Sequence, residues 1–177
     1  MATFRRPHES KNPLPLHDRA LGLLAVRPRS RREIQMRLLR AGFPAEEVDE
    51  ELGRLESVGL LDDELFATEF AEHEVGRRGA GRRAVARSLS AKGVDRETIE
   101  RVLAEVGGNE EERAAGLAAD RARGLSGHPP DVAFRRLVSF LVRRGYKPDL
   151  ARRASLAALG LDKADERSRP TPFERGT

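Results

Sequence analysis

Cysteine and tryptophan are absent from this 177-residue chain, tyrosine occurs once and methionine twice. Without cysteine there is no disulfide framework, no thiol nucleophile and no thiolate zinc site. Aromatic residues make up 5% of the chain and β-branched residues are sparse, a poor composition for strands. No apolar run approaches the roughly 20 residues of a membrane span. The N-terminus lacks the apolar core of a secretory leader, so a soluble, cytoplasmic protein without membrane contact is expected. The four histidines, His8, His17, His73 and His128, are scattered, and none forms the i, i+4 pair of a helical metal site.

What remains is alanine, leucine, arginine and glutamate, a helix-forming mixture. Charged residues reach 35% against 38% hydrophobic, which suits thin helical layers better than one thick core. The net charge of +4 and pI near 10.1 describe a mixed surface with a basic excess, fitted to an acidic protein or a polyanion.

One stretch, Gly59-Leu60-Leu61-Asp62-Asp63-Glu64-Leu65-Phe66-Ala67, reads as a joint between helices. Gly59 suits the left-handed end of one helix, and Asp62 suits the N-cap of the next. Asp63 and Glu64 then fall in its first turn, and Leu61 with Phe66 has the spacing of a hydrophobic staple. Upstream, Ser30-Arg31-Arg32-Glu33 is a capping box that opens a helix carrying Ile34, Leu38 and Leu39 on its apolar side. Gly42 stops that helix, and Pro44 suits the first position of the next. Downstream, Leu65, Phe66, Phe70 and Val75 form an apolar pattern that Gly76, Gly79 and Gly81 interrupt. Asp95 and Asp131 are further N-cap candidates, and Pro148 suits the opening of the last helix.

Gly42, Gly93 and Gly145 fall 51 and 52 positions apart. Eight residues before them stand Ile34, Val85 and Leu137; four before, Leu38, Leu89 and Leu141; one after, Phe43, Val94 and Tyr146. A period of about 50 residues signals repeat architecture. The expected fold is all-α, with three tandem three-helix repeats at 16–60, 61–108 and 109–160 in an elongated, curved array. Disordered tails are expected at 1–15 and 161–177. Phe66, Phe70 and Phe134 read as core, and Phe43 and Tyr146 as packing in inter-helix corners.

The arginines follow the repeat. Arg31, Arg32, Arg37 and Arg40, then Arg82, Arg83, Arg87 and Lys92, then Arg135, Arg136, Arg143, Arg144 and Lys147 flank or occupy each second helix. The third helices of the first two repeats are acidic, with Glu46, Glu47, Asp49, Glu50, Glu51 and Glu56, then Asp95, Glu97, Glu100 and Glu105. Either the two stripes pair with each other, or the basic one is a groove for phosphates or carboxylates. No catalytic, cofactor or metal constellation emerges. Gly76-Arg77-Arg78-Gly79-Ala80-Gly81 lacks the strand and spacing of a phosphate loop, and helix capping accounts for Asp62-Asp63 without a cation.

Ala25-Val26-Arg27-Pro28-Arg29-Ser30 with Glu33, the joint from Gly59 to Ala67, Lys92-Gly93, and Arg143-Arg144-Gly145-Tyr146 resemble the signature segments of the RecX family, over about Leu16 to Gly160. The resemblance implies a fold of three tandem three-helix repeats. It also implies a non-enzymatic regulator that docks in the groove of the RecA–single-stranded-DNA filament and damps its ATPase, strand-exchange and co-protease activities. The structural signature positions are Gly42, Gly59, Asp62, Asp63, Phe66, Gly93, Gly145 and Tyr146; the basic residues above are the candidates for filament or DNA contact. A monomer without cofactors is expected, binding single- or double-stranded DNA weakly at most. The alternative is a tandem helix-turn-helix-like protein that acts on nucleic acid directly. Two departures stand out: Gly79-Ala80-Gly81 replaces the capping box of the first repeat, which predicts a looser turn, and the tails exceed what the repeats need.

Overall fold

The computed structural model describes residues 14–161. Among them are nine helices and no strand: α1 Leu16–Val26, α2 Arg31–Arg40, α3 Ala45–Ser57, α4 Asp63–Arg78, α5 Arg82–Ala91, α6 Arg96–Val106, α7 Glu110–Arg123, α8 Pro130–Arg143 and α9 Pro148–Leu159. None is long and apolar enough to cross a membrane. Apart from Leu14, Pro15 and Leu161, the expected tails lie outside the described residues. The chain divides into two compact units, one ending at Phe66 and the other beginning at Ala67.

In the first unit, Ala20 of α1, Ile34 and Leu38 of α2, and Val48, Leu52 and Leu55 of α3 form one buried cluster with Leu61. Each large aliphatic side chain there contributes about 1.5–3 kcal/mol by leaving water. In the second unit, Ala114 and Ala118 of α7 meet Leu150, Ala151 and Ala154 of α9, with Leu141 and Tyr146 completing the cluster. Alanines at i, i+4 on α7 and i, i+3 on α9 let these two helices approach closely.

Several local expectations are corrected. Leu39 is 36% exposed and Leu65 57% exposed, because each lies one position, about 100° of helix, away from a buried neighbour, Leu38 or Phe66. Phe70 and Phe134 are only half-buried, with Lys92 and Arg152 over their rings at 5.2 and 5.8 Å. Pro44 is the N-cap of α3 rather than its first residue, with ψ at 142°. Helix α4 continues through Gly76 to Arg78, braced across the glycine by the Glu74–Arg78 ion pair at 3.3 Å. Asp131 does not cap α8. The Pro129-Pro130 pair starts that helix two residues earlier, so Asp131 sits in the first turn and pairs with Arg135 at 2.7 Å.

The register of the repeat is a register of helix endings. Gly42, Gly93 and Gly145 have φ of 94°, 87° and 93°. The N–H of each donates to Leu39, Ser90 or Val142 at 3.0 Å, and the next N–H, of Phe43, Val94 or Tyr146, reaches back to Leu38, Leu89 or Leu141 at 3.2–3.3 Å. This is the Schellman pattern, which closes the last carbonyls of a helix and turns the chain sharply.

The beginnings of the second helices are closed from a distance. Ser30 and Glu33 form the expected capping box on α2, but the Arg31 N–H donates to Asp63, the first residue of α4, at 2.7 Å. The matching Arg82 N–H of α5 donates to Glu110, the first residue of α7, at 2.8 Å. In both cases the acid comes from the next repeat. Burial holds the Asp63 carboxyl above its ordinary range, and the charge of Glu56 adds to the rise; the hydrogen bond from Arg31 opposes them. In the third repeat α8 opens on Pro130, which has no N–H to satisfy.

Within the second unit the Gly79–Gly81 turn, expected to be loose, is instead pinned. The Gly81 N–H donates to the Arg144 carbonyl at 2.8 Å and the Arg83 N–H to the Gly145 carbonyl at 3.2 Å. The Tyr146 hydroxyl donates to the Gly79 carbonyl at 3.1 Å, and the Arg144 guanidinium donates to the Arg78 carbonyl. The backbones approach so closely that a Cβ on Gly81 would lie 2.5 Å from the carbonyl carbon of Gly145, and one on Gly145 would lie 2.4 Å from Ala84. Gly42 has the same φ but open space around it.

Two predictions follow from these closures. Gly42→Ala adds only left-handed strain and costs about 1–2 kcal/mol, whereas Gly145→Ala adds a backbone clash and costs about 3 kcal/mol or more; equal losses in urea unfolding would refute the close approach. Tyr146 is the only tyrosine of the chain, so phenolate absorbance reports it alone. Burial raises the pKa of its phenol above the ordinary value of 10.0, against the lowering influence of Arg113. The neutral form is therefore favoured on folding: its contribution is intact below the unfolded pKa and lost as pH rises through the folded one. Wild type should lose stability above about pH 10, and Tyr146→Phe should show a flatter alkaline limb and a loss of about 1 kcal/mol at neutral pH. A folded-state phenolate titration matching that in urea would refute this.

Candidate interface for a protein or polyanion

Helix α5 buries Val85 and Leu89. Two positions on from Val85 and two before it, Arg87 and Arg83 are therefore left exposed, four residues apart on one helix face. Together with Ala86 they line one wall of a groove of about 420 Å³, whose other wall is Val142, Gly145 and Tyr146. The backbone pairing at Gly81 and Gly145 brings these two walls together. Ala86 and Arg87 also border a second, more apolar groove of about 660 Å³ between α5 and α6.

A third groove, about 440 Å³, lies between α7 and α8 and is lined by Arg121, Arg135, Arg136, Ser139, Phe140 and Arg143. Arg121 and Arg144 lie 5.8 and 4.8 Å from the Phe140 ring centre, within cation–π range. Arg136 Nη1 is 2.7 Å from His128 Nε2. Four guanidiniums around one concavity suit bidentate capture of phosphate or carboxylate.

The candidate basic residues separate into two sets. Arg31 is held by Glu56 at 2.9 Å and Asp49 at 3.6 Å, so in the first repeat the basic and acidic helices do pair. Arg144 serves the pinned turn, Arg135 pairs within its own helix, and Lys92 lies over Phe70. Arg82 packs its guanidinium beside Gly107. Arg32, Arg37 and Arg40 in the first unit, and Arg83, Arg87, Arg143 and Lys147 in the second, are exposed and have no ionic partner among the described residues. Arg29 is buried at 8% exposure, its Nε donating to the Leu23 carbonyl at 2.9 Å.

Of the signature positions, Asp62 accepts the Glu64 and Leu65 N–H groups at 2.8 and 2.9 Å. Gly59 closes α3 with φ of 73°, and Phe66 and Tyr146 are buried. Among the described residues no group of three or more histidines, cysteines or carboxylates is arranged to hold a metal. The sequence reading missed Arg121 and Arg96. Both lie outside the second helices to which the repeat had drawn attention, and only packing shows that they border the same concavities.

Residues 17–55 match the family model for the RecX first three-helix domain, and residues 62–103 match that for the RecX second three-helix domain. The chain is 38% identical over 149 residues to the regulatory protein RecX of Mycobacterium avium, covering 83% of this chain and 86% of that one. It is 40% identical over 154 residues to that of Mycolicibacterium smegmatis, covering 84% and 80%. The fold matches the crystal structure of RecX from Lactobacillus salivarius with a TM-score of 0.71 at 20% identity, over 84% of this chain and 95% of that one. By relatedness across most of its length as well as by fold, the chain belongs to the RecX family of regulatory proteins.

Proposed function

We propose that this chain is a non-enzymatic negative regulator of the RecA recombinase, docking in the groove of the RecA–single-stranded-DNA filament and inhibiting its ATPase, strand-exchange and co-protease activities. The observation that carries the proposal is the set of second-helix arginines without ionic partners among the described residues, Arg32, Arg37 and Arg40 on α2 and Arg83 and Arg87 on α5. Exposed surface pairs contribute little to stability, so arginines that do not even pair are better explained by a partner. On this proposal the protein acts as a cytoplasmic monomer.

A second account, direct action on nucleic acid, is favoured by the four-arginine groove between α7 and α8. The two differ in stoichiometry and salt response. In ATP hydrolysis by preformed RecA filaments, a filament regulator inhibits at well below one copy per recombinase monomer. A DNA-coating protein inhibits only when abundant, with an affinity that falls steeply with salt. The double reversal Arg83→Glu, Arg87→Glu should raise the concentration needed for half-inhibition by about tenfold or more, equivalent to about 1.4 kcal/mol, with helicity retained. Unchanged inhibition by the folded double variant would remove α5 from the interface.

A further inference from the structure

The apolar groove between α5 and α6 follows from a substitution within the repeat. In the first repeat, Gln35 of α2 reaches across to Asp49 of α3 at 2.8 Å. The matching positions of the second repeat, 51 residues on, are Ala86 and Glu100. Ala86 cannot make that bridge, and Glu100 turns instead to Arg96 of its own helix at 2.7 Å. Further along α5, Ser90 and Ala91 stand where α2 has Leu39 and Arg40. The result is a concavity of about 660 Å³ with small residues on one wall and Val94, Ile99 and Leu103 at its base. A volume of this order accommodates several side chains.

Its chemistry selects the occupant. Val94, Ile99 and Leu103 are aliphatic, and among the described residues no aromatic one lines the groove, so its walls offer no platform for stacking a base. Arg87 stands at the junction with the neighbouring groove, where Arg83 joins it. An apolar slot that opens onto two guanidiniums is complementary to a peptide bearing large aliphatic side chains next to carboxylates, the arrangement of an anchor residue with a charged rim.

We infer that this groove takes an apolar–acidic segment of the recombinase itself, with aliphatic side chains on Ile99 and Leu103 and a carboxylate on Arg83 and Arg87. The inference rests on the filament proposal and deepens it, because it assigns this part of the interface to protein rather than DNA. The test is to restore the residues of the first repeat, Ala86→Gln with Ser90→Leu, which closes the groove with side chains that the matching α2–α3 pair of the first repeat already carries. A separate variant, Ala91→Trp, fills it from an exposed position. Folding is checked by circular dichroism and thermal midpoint, RecA inhibition by ATP hydrolysis, and DNA affinity by anisotropy of a labelled oligonucleotide. The expected result is an approximately tenfold or greater loss of inhibition in both variants, with DNA affinity within about twofold of wild type. Inhibition unchanged in the folded variants, while wild type inhibits, overturns this inference and leaves the filament proposal standing. A parallel loss of DNA affinity also overturns it and assigns the groove to nucleic acid. Wild type that fails to inhibit at all overturns the filament proposal, and this inference with it.

Discussion

The last carbonyls of a helix have no partner inside the helix, and the whole chain is organised by one way of closing them. Three glycines with φ near 90° end the second helices of the three repeats and return the chain onto the buried leucine four residues earlier. That turn sets where the third helix starts and which face of the second helix lies inward. Burial of Ile34 and Leu38, of Val85 and Leu89, and of Leu137 and Leu141 depends on it. The exposed arginines are the other side of the same geometry: once the aliphatic residues are turned in, the positions between them point to solvent.

The same turn has different duties in different repeats. At Gly42 it meets nothing, whereas at Gly145 it lies against Ala84 and accepts backbone hydrogen bonds from the start of α5. Arg144, a candidate for partner contact on sequence grounds, is used there to hold the Arg78 carbonyl, and Tyr146, the corner residue, holds that of Gly79. This anchoring gives Arg83 and Arg87 a defined wall opposite them, and rigid presentation of charge lowers the ordering cost of binding.

The parts of the fold legible in the sequence are those encoded by neighbours. The Ser30 box, the Asp62 and Asp95 caps, and the glycine register each depend on residues within about one or two helical turns, and the structure bears them out. Proline was less legible: Pro44 moves the start of α3 one residue later, since φ alone does not decide whether ψ is helical, and Pro130 at the first helical position moves that of α8 two residues earlier than an Asp131 cap would. Asp63 lies in the first turn of α4 as expected, but nothing nearby in the sequence reveals that Arg31, thirty-two positions back, also needs it. The Gly79–Gly81 turn looked loose because its restraints come from residues 144–146. Arg121 was overlooked on an alanine-rich helix, and the α5–α6 groove was invisible until the missing bridge from Ala86 could be set beside Gln35 and Asp49.

The acids that complete second helices from the following repeat impose a timetable on synthesis. A chain emerging N-terminus first can form the Ser30 box on α2 at once, but the neighbouring Arg31 N–H waits until Asp63 has left the ribosome. Gly81 supplies no side chain of its own to α5, so the Arg82 N–H waits for Glu110 and the Arg83 N–H for the still later carbonyl of Gly145. Each repeat is thus finished by its successor, and maturation runs in one direction along the polypeptide. Pro130, with no N–H to satisfy at the first position of α8, ends that dependence.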